Sequence, residues 1–151
     1  MADAGTTVHA SAVLVGARAV LIRGPSGSGK SRLALALIAA AHTGLLDLAR
    51  LVGDDRVELA AAHGRLLVRP APALAGLVEA RGLGIRRLDH EPAAVVGLVV
   101  DLGCPAAERL PAATVPEVVI DGVKLPHISV ATGSDPMPAV LAHLLTAAAE
   151  V

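Results

Sequence analysis

The chain contains no Phe, Trp or Tyr, so its core must be filled by Leu, Val, Ile and Ala. Nucleic-acid bases would find no aromatic platform to stack on, and any bound nucleotide base must rest on aliphatic side chains. A single cysteine, Cys104, excludes an internal disulfide and a cysteine metal cluster, which fits a reducing cytoplasm. Cys104 itself reads as a small buried or loop thiol. Charge is also scarce: charged residues make up 18% and the formal net charge is -1. That balance lacks the electrostatic footprint of a nucleic-acid or anionic-membrane partner. Long apolar runs are missing too, because Asp, Arg, Lys or His interrupts each one before ~18 residues accumulate. The start, "MADAGTTVHA", has no basic stretch leading into an apolar segment, so no secretory signal is expected. A soluble, cytoplasmic chain follows as the expectation.

With 151 residues and 54% hydrophobic content, residues 1–151 are expected to form one domain around one adequate core. "VHASAVLVGARAVLIRG" gives two apolar stretches parted at Gly16-Ala17, which predicts neighbouring strands. Ser31 to Ala41 reads as a helix. "LVGDDRVELAAAHGRLLVRP" predicts a strand, an acidic pair and a hairpin around His63-Gly64. "ALAGLVEARGLGIRRL" reads as a short helical pattern running into a loop broken at Gly82 and Gly84. "AAVVGLVVDL" is a continuous apolar run, expected as a strand buried on both faces. Asp121-Gly122 between β-rich flanks signals a second hairpin, and Asp135 with the following prolines is expected to open a last helix. The fold class predicted is α/β, with a mixed sheet and few helices.

The most informative stretch is Gly24-Pro25-Ser26-Gly27-Ser28-Gly29-Lys30-Ser31, a complete G-x-x-x-x-G-K-[ST] phosphate loop between a strand and a helix. Glycines let the backbone bend close to phosphate oxygens, and the helix N-terminus points its N–H groups at the anion. Lys30 is expected to reach the β- and γ-phosphates, and Ser31 to give its hydroxyl oxygen to Mg²⁺. The choice of lysine is telling, since Lys30 and Lys124 are the only lysines in a chain with eleven arginines. The cradle calls for a point-like ammonium rather than a guanidinium fork. GTPase base-reading motifs and a transporter LSGGQ-like signature are absent, as are the lid and second base site of a nucleoside monophosphate kinase.

Phosphoryl transfer to a hydroxyl benefits from a carboxylate that orients it and accepts its proton, and Asp54 in "GDD" is the candidate. If both carboxylates lay on an extended strand, Asp55 would point the opposite way. Asp101 is a rival, because "VVGLVVD" looks like the apolar strand plus Asp that holds Mg²⁺ in many phosphate-loop enzymes. His42, His63, His90, His127 and His143 have no metal-like spacing and read as structural or exposed.

Four features in order, Val8-His9, the phosphate loop, "LVGDDRVEL" and Glu79-Ala80-Arg81-Gly82-Leu83-Gly84, resemble the HPr kinase/phosphorylase family over roughly residues 8–130. In that family a histidine strand precedes the loop, an Asp-Asp pair follows the helix, and an E-x-R-G-[LI]-G signature comes next. The resemblance implies a phosphoenolpyruvate-carboxykinase-like fold and an ATP- and Mg²⁺-dependent kinase acting on a serine of HPr, a small phosphocarrier of the sugar phosphotransferase system. It also implies the reverse phosphorolysis in many members and hexameric assembly. Carried over by position, His9 hydrogen-bonds the acidic pair or the transferring phosphate, Asp55 joins the metal shell or organises His9, Glu79 lies near the metal, and Arg81 lies near phosphate. The chain looks like a short form holding the catalytic domain alone. It departs from the pattern after "LPHISV": members carry a basic residue in the next loop, whereas "ATGSDPMP" has none and no Arg or Lys follows Lys124. Arg86, Arg87 or another subunit is the candidate substitute, and a non-catalytic ATP-binding regulator or a small-molecule kinase are the competing readings.

Overall fold

The computed structural model describes residues 5–105 and 116–146. Thr6–Val8 (β1) and Ala10–Val15 (β2) are parted only by His9, and Arg18–Arg23 (β3) returns antiparallel to β2. The helix Lys30–His42 (α1) follows, and then Ala49–Gly53 (β4), Val57–Ala62 (β5) and Arg65–Pro70 (β6). After a 3-10 turn at Pro72–Leu74 come Leu77–Ala80 (β7), Gly84–Arg87 (β8) and the long Ala94–Cys104 (β9). Glu117–Ile120 (β10), Val123–Ala131 (β11) and the helix Met137–Leu145 (α2) complete the described chain. The expected α/β class with a mixed sheet and few helices is what is observed.

Nine strands form one sheet in the order β1-β5-β6-β9-β3-β2-β4, with β11 on β9 and β10 on β11. The phosphate-loop strand β3 lies parallel to β9, and β9 parallel to β11, so three strands end their C-termini on one edge. That edge is where ligands gather in open α/β sheets. Because β1 runs straight into β2, the sheet bends over itself and encloses one core of Ala12, Leu21, Val57, Val68, Val99 and Leu125. A second core, with Val13, Ile22, Leu33, Leu37, Val100 and Val140, lies between the outer sheet face and the helices. Leu33, Ala34, Leu37 and Ala40 are the buried stripe of α1, a helical repeat that presents one face to the sheet. Aliphatic side chains alone fill both cores, as the lack of aromatics requires.

Both expected hairpins form. Asp121 and Gly122 have φ of 48° and 80° between β10 and β11, and His63 and Gly64 have 53° and 74° between β5 and β6. Two positive φ values in succession are what a two-residue hairpin turn demands. The segment "ALAGLVEARGLGIRRL" corrects the helical expectation: it forms the isolated β7–β8 hairpin. Its Ala, Leu, Glu and Arg favour a helix, but Gly76, Gly82 and Gly84 stand at φ of 76°, 85° and 84° and turn the chain at both ends. The last helix starts as expected, with Asp135 Oδ1 accepting the Met137 N–H at 3.1 Å.

Candidate active site

The strand β3 delivers the chain at Gly24, and the loop closes on itself through Ser28 N–H to the Pro25 carbonyl, 3.0 Å. Gly27 and Gly29 have φ of 80° and 102°, which L side chains rarely adopt, and a Cβ on either would meet nothing within 4 Å. Space beside both glycines is therefore open. Lys30, the first residue of α1, bends back so that Nζ donates to the carbonyls of Gly24 at 2.8 Å and Pro25 at 3.2 Å. Ser28 Oγ is buried with no hydrogen-bond partner among the described residues. An orphaned hydroxyl, a lysine folded on loop carbonyls and an open glycine backbone all fit a polyphosphate.

Behind the loop stands Asp54, which is only 3% exposed. Its Oδ1 accepts from Ser11 Oγ at 2.6 Å, and both of its oxygens lie 2.8 Å from Ser31 Oγ. The backbone N–H of Glu79 donates to Oδ2 at 3.2 Å. Four elements thus meet at one carboxylate: β2 through Ser11, α1 through Ser31, β7 through Glu79 and the β4–β5 turn that carries Asp54. Gly53 permits this turn, since a Cβ there would come within 2.7 Å of Val57 Cγ1 and 3.2 Å of Pro70 Cα.

Asp54 and Asp55 do diverge, but not as neighbours on a strand. β4 stops at Gly53, Asp55 sits at φ 67°, and Arg56 N–H donates to the Asp54 carbonyl at 2.8 Å. The result is a three-residue turn with a positive-φ centre, a strained form that leaves Asp55 exposed while Asp54 is buried. His9 is exposed at the break where the strand changes partner, Val8 pairing with Val57 and Ala12 with Gly53. That crossover sets His9 beside the Asp54–Arg56 turn, although no hydrogen bond joins it to either carboxylate among the described residues. Glu79 enters through its main chain and its side chain is exposed; Arg81 lies in the exposed hairpin turn, and no ion pair links the two among the described residues.

The sequence did not single out Ser11, a wholly buried hydroxyl in an apolar strand. Nor does it show the partners of Asp101 and His127. Asp101 takes Arg23 Nε on Oδ1 at 2.8 Å and Arg23 Nη2 on Oδ2 at 2.9 Å, and His127 Nε2 lies 2.6 Å from Oδ2. Asp101 is thus tied to β3 and β11 by an ion pair, and His127 takes the structural one of the two readings expected for it. Burial alone would raise the Asp101 pKa, but the hydrogen bonds and charges of Arg23 and His127 outweigh it and hold the carboxyl below its ordinary 3.8. Among the described residues no group of three or more His, Cys, Asp or Glu is disposed to hold a metal. A divalent ion here would be held through Ser31, a nearby carboxylate, phosphate oxygens and water, the usual pattern for Mg²⁺.

Residues 2–90 match the family model described as the HPr Serine kinase C-terminal domain. The chain belongs to that family. Over 81 residues it is 44% identical to an HPr kinase/phosphorylase of Streptococcus thermophilus, covering 53% of this chain and 24% of that protein. An HPr kinase/phosphorylase of Clostridium beijerinckii is 41% identical over 80 residues, with coverage of 53% and 24%. The match thus spans about a quarter of the length of these curated relatives. The fold is similar to that of the Hpr(Ser) kinase/phosphatase of Coxiella burnetii, with a TM-score of 0.73, 24% identity and 93% of each chain covered. Among the described residues no helix is long and apolar enough to cross a membrane.

Proposed function

We propose that this domain binds ATP with Mg²⁺ and transfers the γ-phosphoryl group to a serine of an HPr-like phosphocarrier. The observation that carries the reading is the link from Ser31, at the end of the phosphate loop, to the buried Asp54 and on to the Glu79 main chain. It joins the nucleotide cradle to the Glu79–Gly84 signature in one hydrogen-bonded unit. When bound, Mg-ATP supplies the phosphoryl group and the cation that offsets its charge.

The protein's own groups then have distinct tasks. The Gly27 to Lys30 backbone and Ser28 Oγ hold phosphate oxygens, and Lys30 leaves the Gly24 and Pro25 carbonyls to meet them. Ser31 keeps its proton and donates it in a hydrogen bond to Asp54, which leaves its oxygen lone pairs to face outward. One hydroxyl proton cannot serve both Asp54 oxygens, so Asp54 keeps acceptor capacity toward the cradle. We assign it the role of orienting the serine hydroxyl and taking its proton. Exposed Asp55 and His9 flank the Asp54 turn and exposed Glu79 and Arg81 lie on the β7–β8 hairpin; by likeness to the family Glu79 and Asp55 serve the metal and Arg81 the phosphate. Phosphorolysis of the product and homo-oligomeric, hexameric assembly belong to the same proposal, by likeness to the family.

A second reading, a nucleotide-binding regulator without transfer, is favoured by one observation. The segment from Thr132 to Pro136 after β11 carries no Arg or Lys. Incubation with labelled γ-phosphate ATP, Mg²⁺ and purified HPr separates the two. Serine-linked label on HPr is expected; nucleotide binding without label supports the regulator, and label on a metabolite instead supports a small-molecule kinase.

A further inference from the structure

The first half of the phosphate loop is held by the Ser28 N–H to Pro25 carbonyl bond and by Lys30. Lys30 is the side chain that ties the Gly24 and Pro25 carbonyls together, and it is the same group that must swing to an arriving phosphate. Once the lysine bonds are given up, the Gly24 carbonyl loses its tie and the Ser28–Pro25 bond is left to hold the entrance with whatever packs beneath it.

The end of β9 is in place to do so. A Cβ on Gly24 would lie 3.0 Å from the Leu102 carbonyl oxygen and 3.1 Å from Leu102 Cβ. A Cβ on Gly103 would lie 3.2 Å from both Pro25 Cδ and Pro25 Cγ, and 3.5 Å from Ser28 Cβ. The first half of the loop is therefore seated on Leu102 and Gly103. Gly103 stands at φ 68°, where β9 slips register against β11 between Ser129 and Ala131. This kink turns the strand end under the loop.

The ion pair joins the residue just before Gly24 to the residue just before Leu102. Arg23 and Asp101 are register partners on parallel β3 and β9, and the guanidinium holds both carboxylate oxygens. A bidentate pair fixes orientation as well as distance. From the third parallel strand, His127 holds Oδ2 of the same carboxylate. Resting on the proposed nucleotide-binding function, we infer that Asp101 is a positioning residue for the phosphate loop, acting through Arg23 and the Leu102–Gly103 seat, with His127 as its second holder. None of the three need touch the nucleotide.

The test measures calorimetric Mg-ADP affinity, KM for ATP, kcat and melting temperature in wild type, Asp101→Asn, Arg23→Gln, the double variant and His127→Gln. Loss of a charged hydrogen-bonded partner predicts nucleotide dissociation constants about tenfold or more higher in each of the first two variants. The double variant should be no worse than the weaker single, because both remove one link. The kcat at saturating ATP should stay within about threefold of wild type, since a misshaped cradle costs binding first. His127→Gln should weaken affinity by a smaller factor. Unchanged nucleotide affinity in folded Asp101→Asn, even with a lowered melting temperature, overturns the inference. If Asp101→Asn and Arg23→Gln do not fold, His127→Gln decides, and wild-type affinity there overturns it equally. Wild type that binds no nucleotide brings down the proposed function and this inference together; wild type that binds while the variants match it brings down the inference alone.

Discussion

Ser31 and Asp54, 23 residues apart, meet with Ser31 Oγ at 2.8 Å from each carboxylate oxygen. The serine at the end of a phosphate loop needs its proton held away from the metal so that its lone pairs face it, and Asp54 supplies that acceptor. Ser31→Ala should therefore weaken Mg²⁺-dependent nucleotide binding by about tenfold while affinity without Mg²⁺ barely changes. Calorimetry with and without the metal checks this; an equal loss in both conditions would place Ser31 on phosphate instead.

Lys30→Ala removes the mobile cation and two hydrogen bonds to loop carbonyls that water can replace, because the lysine is only partly buried. Nucleotide affinity and turnover should fall by about 10² or more, with the melting temperature nearly unchanged. Retained affinity would contradict the phosphate-cradle assignment.

Ser11→Ala leaves a buried carboxylate short of one donor, since Ser11 is wholly buried and donates to Asp54 Oδ1 at 2.6 Å. A loss of about 1–3 kcal/mol in denaturant stability is expected, together with reduced turnover. A variant as stable as wild type would mean that water or a shift of Asp54 restores the bond.

The sequence and the structure agree where local chemistry dictates the outcome. A glycine-rich turn between an apolar strand and an Ala/Leu helix, two hairpin dipeptides and an apolar run such as Val95–Val100 need no distant information. The β7–β8 hairpin was hidden because its residues are good helix formers, and only the conformations of Gly76, Gly82 and Gly84 override that preference. Arg23 and Asp101 are 78 residues apart, and Asp101 and His127 are 26 apart. Their meeting follows from the parallel order β3-β9-β11, which no short motif encodes. Ser11 was invisible for the same reason: a hydroxyl in an apolar strand gains meaning only once β4 brings Asp54 beside it.

Asp101 should make stability pH-dependent in a defined direction. Its folded pKa lies below 3.8, so its ion pair contributes fully above that value and the contribution is lost as pH falls through the lowered folded pKa. The stability gap between wild type and Asp101→Asn should therefore be constant near neutrality and shrink as pH drops below 3.8. Urea midpoints at pH 7 and pH 3, at matched ionic strength, read it directly. A gap that widens in acid would show that Arg23 and His127 do not stabilise the charged form.

The last prediction separates the two carboxylates of the β4–β5 turn. Asp54 is buried and linked to Ser11, Ser31 and Glu79, whereas Asp55 is exposed at a strained positive φ. Asp54→Asn keeps size but sets an amide donor against at least one of three existing donors, so about 1–3 kcal/mol of stability should go with it. Assays must therefore run well below its melting temperature. There, ATP should still bind through Gly24 to Ser31, while transfer to HPr falls by about 10² or more, because no group remains to take the serine proton. Asp55→Asn should be milder, and excess Mg²⁺ should restore part of its activity if it serves the metal shell. The exposure of Asp55 supports the opposite assignment, with Asp55 as base and Asp54 as the holder of Ser31. In that case Asp55→Asn loses transfer without rescue, and Asp54→Asn responds to added Mg²⁺. Because a lost base cannot be replaced by metal, the pattern of rescue across the two variants assigns the proton acceptor.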